Sequence, residues 1–246
     1  MASPFRPVTA PPASAALPAP AQAGSARRDL VTTLAALAAL LAWDASGADL
    51  ALTRLFASAR GFALRDSVWA ATVLHDGGRL LAWALLMALV VAALRAPRGC
   101  PAALPGRAER WRWLGVMLLC LLVVPLLKRA SATSCPWDLA EFGGAARYVS
   151  HWAFGQFDGG PGHCFPSGHA VAAFAFFGLY FQWRGHDAPR ARRWLAVVLC
   201  AGLLFGAAQL VRGAHHVSHT LWSAWVCWTL SAAAAAAFRA WAVRRA

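Results

Sequence analysis

The sequence predicts an all-α membrane protein, a bundle of six transmembrane helices, and three observations carry that prediction. Of 246 residues, 59% are hydrophobic and only 13% charged, with mean hydropathy +0.50, far more apolar than a soluble domain of this length needs to be. Six apolar segments recur along the chain, each bounded by charge, Gly or Pro. The arginines alternate across those segments in the way that membrane topology imposes.

Residues 1–28 open the chain. They are rich in Ala, Pro and Ser without apolar periodicity and read as a disordered cytoplasmic tail, with 29–246 a single membrane domain. The apolar segments fall near Leu30–Trp43, Leu80–Leu94, Trp113–Leu127, Ser167–Trp183, Trp194–Val211 and Leu221–Phe238. Several are shorter than the ~20 residues that cross a ~30 Å hydrocarbon core, so their flanks must contribute. Trp43, Trp111, Trp113, Trp183, Trp194 and Trp241 sit near segment ends, as interfacial aromatic belts do. Arg27-Arg28 before Leu30, with Ala45-Ser46-Gly47-Ala48 after Trp43, also fits a cleavable signal peptide. An even count of helices explains the charge distribution better.

With both termini in the cytoplasm, 15 of the 23 basic residues lie inside, clustered at Arg27-Arg28, Arg95–Arg112, Arg184–Arg193 and the C-terminus, as the positive-inside rule requires. The formal +13 is therefore mostly topology, and it suits anionic lipid headgroups. Nucleic acid is excluded as a partner, because no soluble face interleaves basic and aromatic residues. The histidines show the opposite asymmetry. His75, His151, His163, His169, His215, His216 and His219 fall outside and only His186 inside. Protonatable side chains gathered on one membrane face mark a site.

Phe165-Pro166-Ser167-Gly168-His169-Ala170 leads into the fourth segment. Proline suits a first helical turn, and Ser167 and Gly168 then offer free N–H groups to an anion. His169 follows at the distance of a proton donor or acceptor. Two further segments on the same side carry cations and imidazoles: Lys128-Arg129 through Cys135-Pro136-Trp137-Asp138, and Gln209 through Arg212, His215, His216 and His219. On a continuous helix Arg212, His215 and His219 share one face. A cation, two imidazoles and a helix N-terminus then surround one tetrahedral anion. His75-Asp76-Gly77-Gly78-Arg79 reads as an Asp-capped turn before the second helix, with Arg79 or Asp76 in reach of the site.

At these residues the chain resembles the type 2 phosphatidic acid phosphatase (PAP2) superfamily, in a divergent bacterial membrane branch. That family's pattern is Lys-x6-Arg-Pro, then Pro-Ser-Gly-His, then Ser-Arg-x5-His-x3-Asp. The second motif matches fully at Pro166-Ser167-Gly168-His169. The first matches at Lys128 and Pro136, with Cys135 in place of arginine; the third places Gln209 at the arginine, His215 at the nucleophile and His219 at the aspartate.

The resemblance implies a six-helix phosphatase of the bacterial inner membrane, facing the periplasm and acting on a lipid phosphate, with hydrolysis or transfer to another lipid both open. It implies His215 as nucleophile through a phosphohistidine, His219 orienting it, and His169 as proton donor to the leaving group. Lys128, Ser167, Gly168 and Arg212 would hold the phosphoryl oxygens. No cofactor and no metal are required. Two other readings stay open. His215 and His219 have the spacing of a helical zinc pair that His169 or His163 and Asp138 would complete; and the missing family arginine and aspartate fit an inactive lipid-binding protein.

Cysteine usage adds one expectation. Cys120, Cys200 and Cys227 fall within helices and Cys100 in a cytoplasmic loop, which leaves Cys135 and Cys164 as an outer pair in an oxidising compartment. They flank the first and second motifs, and a disulfide between them would fix the Lys128 segment against Pro166-Ser167-Gly168-His169.

Overall fold

The computed structural model describes residues 19–97, 99 and 104–244. Helix α1 spans Ala19–Ser46 and a short α2 spans Ala48–Arg54. A two-residue hairpin follows, β1 at Ala57–Ser58 and β2 at Gly61–Phe62, paired antiparallel. A wide-turn helical stretch at Val68–Gly77 runs directly into α3, Gly78–Arg95. Helix α4 is Arg107–Ala130; α5 and α6 are Val171–Phe174 and Phe177–Trp183; α7 is Ala188–Val211 and α8 is Val217–Val243.

Among the described residues, five helices are long and apolar enough to cross a membrane: Gly24–Ser46, Val68–Arg95, Arg107–Ala130, Ala188–Val211 and Val217–Val243. The fourth apolar segment of the sequence forms only the shorter helical run Val171–Trp183. Its 13 residues reach only about 20 Å. It needs no more, because nearly all of its side chains are buried against α4, α7 and α8, where neighbouring helices take the place of lipid. Phe174, Phe177, Leu179 and Phe181 make it the centre of the main core, together with Trp113, Met117 and Val124 of α4. Close approach is built into α7: a side chain at Gly202 would meet the Phe174 ring at 2.2 Å. The outer faces remain apolar and exposed, as at Leu34, Leu81, Leu118, Leu122 and Leu203, and face lipid.

Three expectations change. Part of the supposed tail, 19–28, is helical and forms the first turns of α1; 1–18 lie outside the described residues. His75 and Asp76 lie within the second spanning helix rather than in a turn before it. The run from Gln209 to His219 is not one helix: α7 ends at Val211, Gly213 adopts φ 75°, and α8 begins at Val217. The reversal requires glycine twice over, since the positive φ disfavours a side chain and a Cβ would strike the Phe62 ring at 2.3 Å.

Candidate active site

The long connection between α4 and α5 folds back over the histidine end of the bundle. Cys135 and Cys164 are joined by a disulfide, Cα–Cα 5.1 Å, which ties the chain leaving α4 to the residues just before Pro166. Backbone bonds reinforce the tie: the His163 N–H donates to the Ser131 carbonyl and the Cys164 N–H to that of Thr133. Trp137 N–H donates to the Gly213 carbonyl, so the third motif is anchored to the first.

His215 lies in the reversal between α7 and α8, and its N–H and that of Ala214 both donate to the Gln209 carbonyl. Its ring is buried, with Nδ1 3.3 Å from His219 Nδ1 and 3.4 Å from the Cys164 sulfur. Burial, and next the Lys128 cation, push the His215 imidazole well below its ordinary pKa, so it is neutral. Lys128 comes from the last turn of α4. Its Nζ lies 3.9 Å from where a side chain on Gly168 would begin, so the ammonium sits over the Gly168 backbone.

His169 is held differently. Its ring stacks on His75, centroids 4.4 Å apart, and also touches Phe205. Its Nε2 is buried with no hydrogen-bond partner among the described residues. Burial first, then the His75 ring, lower its pKa to about 4, the Leu74 carbonyl working in the other direction. Gln209 repeats the pattern, with a buried amide Nε2 that has no partner among the described residues.

The anion seat differs in detail from expectation. Pro166 follows a cis peptide bond and stands five positions before α5 rather than in its first turn. The Ser167 N–H is not free; it donates to the His219 carbonyl, and the Ser167 carbonyl accepts from Ser223 Oγ. What remains is the Ser167 hydroxyl, which accepts a long bond from the Ala170 N–H at 3.4 Å, and the Gly168 N–H, which has no partner among the described residues. Arg212, expected on one face with His215, instead ends α7 and donates through Nε to the Arg65 carbonyl at 2.8 Å. Its charge acts on His169, as does that of Arg79. His163 is exposed and His169 and Asp138 are not gathered with the imidazole pair, so the expected zinc sphere is not assembled. Cys164, His215 and His219 do converge, but the Cys164 sulfur is bonded to Cys135 and is no thiolate donor.

Sequence reasoning missed the carboxylates that brace this end. Asp44 accepts from Trp152 Nε1 and Trp222 Nε1, both at 2.9 Å, and pairs with His151 Nε2 at 3.1 Å. His151 in turn stacks on Phe165, centroids 4.1 Å apart, beside Pro166. Asp49 accepts from the Ser218 N–H at 2.9 Å and from the Ser218 hydroxyl, capping the start of α8 from another helix. Thr53 bonds His216 Nδ1 at 2.7 Å, which turns that imidazole away from the Lys128 side. The partners lie more than 100 residues apart, so no local spacing announces them.

This arrangement agrees with the sequence motifs, and a comparison of the whole chain decides the family: the model of the PAP2 superfamily matches residues 110–242. The chain belongs to the PAP2 superfamily. No curated protein and no solved structure matches it. The PAP2 match runs from α4 through α8 and covers all three motifs. It leaves out α1–α3, which supply Asp44, Asp49 and the His75 ring. Membership carries phosphatase-type activity and association with membrane, in keeping with the five spanning helices. The family positions occupied by Cys135, Gln209 and His219 are thus substitutions within a PAP2 site: a disulfide where the resemblance expects a cation, an amide donor, and an imidazole.

Proposed function

We propose that this protein is a phosphatase of membrane lipids, removing a terminal phosphate at the periplasmic face of a bacterial inner membrane through a phosphohistidine on His215. The carrying observation is the convergence of three segments: the Lys128 ammonium over Gly168, a buried His169 whose Nε2 has no partner among the described residues, and a neutral His215. A neutral imidazole is a nucleophile; burial first and then the Lys128 cation hold it neutral, and the same cation attracts the phosphate it attacks.

In the first step the His215 Nε2 lone pair attacks phosphorus, because Nδ1 faces His219. The P–O ester bond breaks and the leaving alkoxide takes its proton from His169. A dianionic phosphate beside His169 stabilises the imidazolium, so binding raises a pKa that is low in the empty site. In the second step water attacks phosphorus, His169 accepts its proton, and the P–N bond breaks to return His215. Lys128, the Ser167 hydroxyl, the Gly168 N–H and the Gln209 amide hold the oxygens in both steps, with Arg212 and Arg79 adding field rather than contact. His219 is a positioning residue for His215.

The test is phosphate release by purified protein in detergent from phosphatidate, phosphatidylglycerol phosphate, undecaprenyl diphosphate and lipid A phosphate. Release from at least one is expected, inhibited by vanadate and insensitive to EDTA, with an acid-labile phosphate trapped on the peptide carrying His215. Folded protein that releases phosphate from none of these would end the proposal, and loss with EDTA restored by zinc would replace it with metal chemistry.

A further inference from the structure

A cavity of about 1010 Å³ opens at the other end of the bundle, between the first turns of α1, the start of α4, the end of α6, the start of α7 and the end of α8. Arg239 on its wall lies about 30 Å along α8 from His219. Among the described residues, Arg27, Arg28, Arg112, Arg184, Arg192 and Arg239 line it against two carboxylates, Asp29 and Glu109. Asp29 is engaged by Arg184 at 2.7 and 2.8 Å and by Arg239 at 3.6 Å, and Glu109 by His186 at 3.0 Å.

That leaves Arg27, Arg28, Arg112 and Arg192 without a carboxylate in ion-pair range among the described residues; Arg28 Nε donates to the Gly24 carbonyl at 3.3 Å. Arg112 is fixed rather than neutralised, its guanidinium lying 5.3 Å from the Phe238 ring centroid and 5.6 Å from that of Trp241. The inner wall is aromatic, with Trp113 and Phe181 buried behind the cations. Residues 1–24 contain no Asp or Glu.

Cations at the mouth and aromatic side chains within, at the end of a bundle whose flanks face lipid, complement an amphiphile with an anionic head. We infer that this cavity binds an anionic phospholipid of the adjacent leaflet, its phosphodiester among Arg27, Arg112 and Arg192 and its upper acyl chains against the aromatic wall. A phosphodiester lacks the terminal phosphate on which the histidine end acts, so this ligand is a resident of the second site and not a substrate.

The experiment is native mass spectrometry of the full chain in detergent, titrated with phosphatidylglycerol and, separately, phosphatidylcholine, with vanadate present throughout to fill the histidine end. Phosphatidylglycerol should bind preferentially. Arg27 and Arg192 are both exposed at the mouth, so R27Q/R192Q should keep the wild-type melting temperature without lipid while weakening phosphatidylglycerol roughly thirtyfold, about fivefold per arginine near a membrane surface. R112Q, with its charge nearer the aromatic wall, should weaken it by at least the same factor per residue. Equal retention of both lipids, or unchanged affinity in both variants, overturns the inference. Displacement of the lipid by millimolar inorganic phosphate would make the cavity a free-anion site and overturn the lipid as occupant.

Discussion

At one end of the bundle His169, His215 and His216 are buried and driven neutral, while at the other end arginines surround a cavity that, among the described residues, two carboxylates answer. Both ends suit phosphate, by opposite means. The arginine end holds permanent charge for a ligand that stays. In the proposed mechanism the histidine end withholds its charge until a phosphate arrives, which lets one imidazole act as a nucleophile and another deliver a proton within the same few ångströms.

The sharpest way to break this contrast is to remove the proposed nucleophile. H215A should lower turnover by about four to six orders of magnitude, whereas H216A, whose imidazole is tied to Thr53 rather than to the Lys128 side, should stay within about tenfold in kcat. Steady-state kinetics on whichever lipid is hydrolysed compares them, and the reverse ranking would move the nucleophile. Next in size is the strap. Replacing Cys135 and Cys164 by serine opens a loop of 29 residues' separation and should cost about 3.5 kcal/mol, read as unfolding at lower denaturant in detergent. Reducing agent should give the same loss in the parent protein and none in the serine variant.

The neutral state of His169 makes a pH prediction. Between about pH 6.5 and about pH 4 the unfolded chain carries a proton on this residue that the folded chain does not, so stability falls as acid is added across that window, by at most about 3 kcal/mol. H169Q should flatten the slope there, and vanadate should raise the His169 pKa in an imidazole NMR titration. A slope unchanged in H169Q would assign the effect to other groups. The smallest effect compares carboxylates at the two ends. D49N removes a buried cap of α8 and should cost about 2 kcal/mol, while D29N, beside a wide and charged cavity, should cost about 1 kcal/mol in the same unfolding assay.

How much of this was legible depended on how local each signal was. The apolar segments, the Pro166-Ser167-Gly168-His169 motif and the topological split between arginines and histidines lie in contiguous sequence, and the helical bundle follows from them. The shortness of Val171–Trp183 was written in its length, yet only packing on all sides explains why it suffices. Arg212 was misplaced because a 3.6-residue period was carried through Gly213, whose left-handed backbone ends the helix there. Asp44 and Asp49 were invisible for a different reason. A carboxylate near the end of the first helix has no periodic relation to an α8 residue more than 160 positions later; only the fold supplies it.

That distance has a consequence in time. During synthesis Asp49 leaves the ribosome 169 residues before the Ser218 amide it caps. At ~5–20 residues per second the interval is on the order of ten to thirty seconds. Throughout it, a carboxylate destined for burial has the Trp43 indole N–H within reach but not its Ser218 donors, and the reversal carrying His215 does not yet exist. The candidate site is therefore closed only once α8 has been made. A chain that stops short of α8 keeps Lys128, Ser167 and His169 on a frame that lacks the Asp49–Ser218 tie.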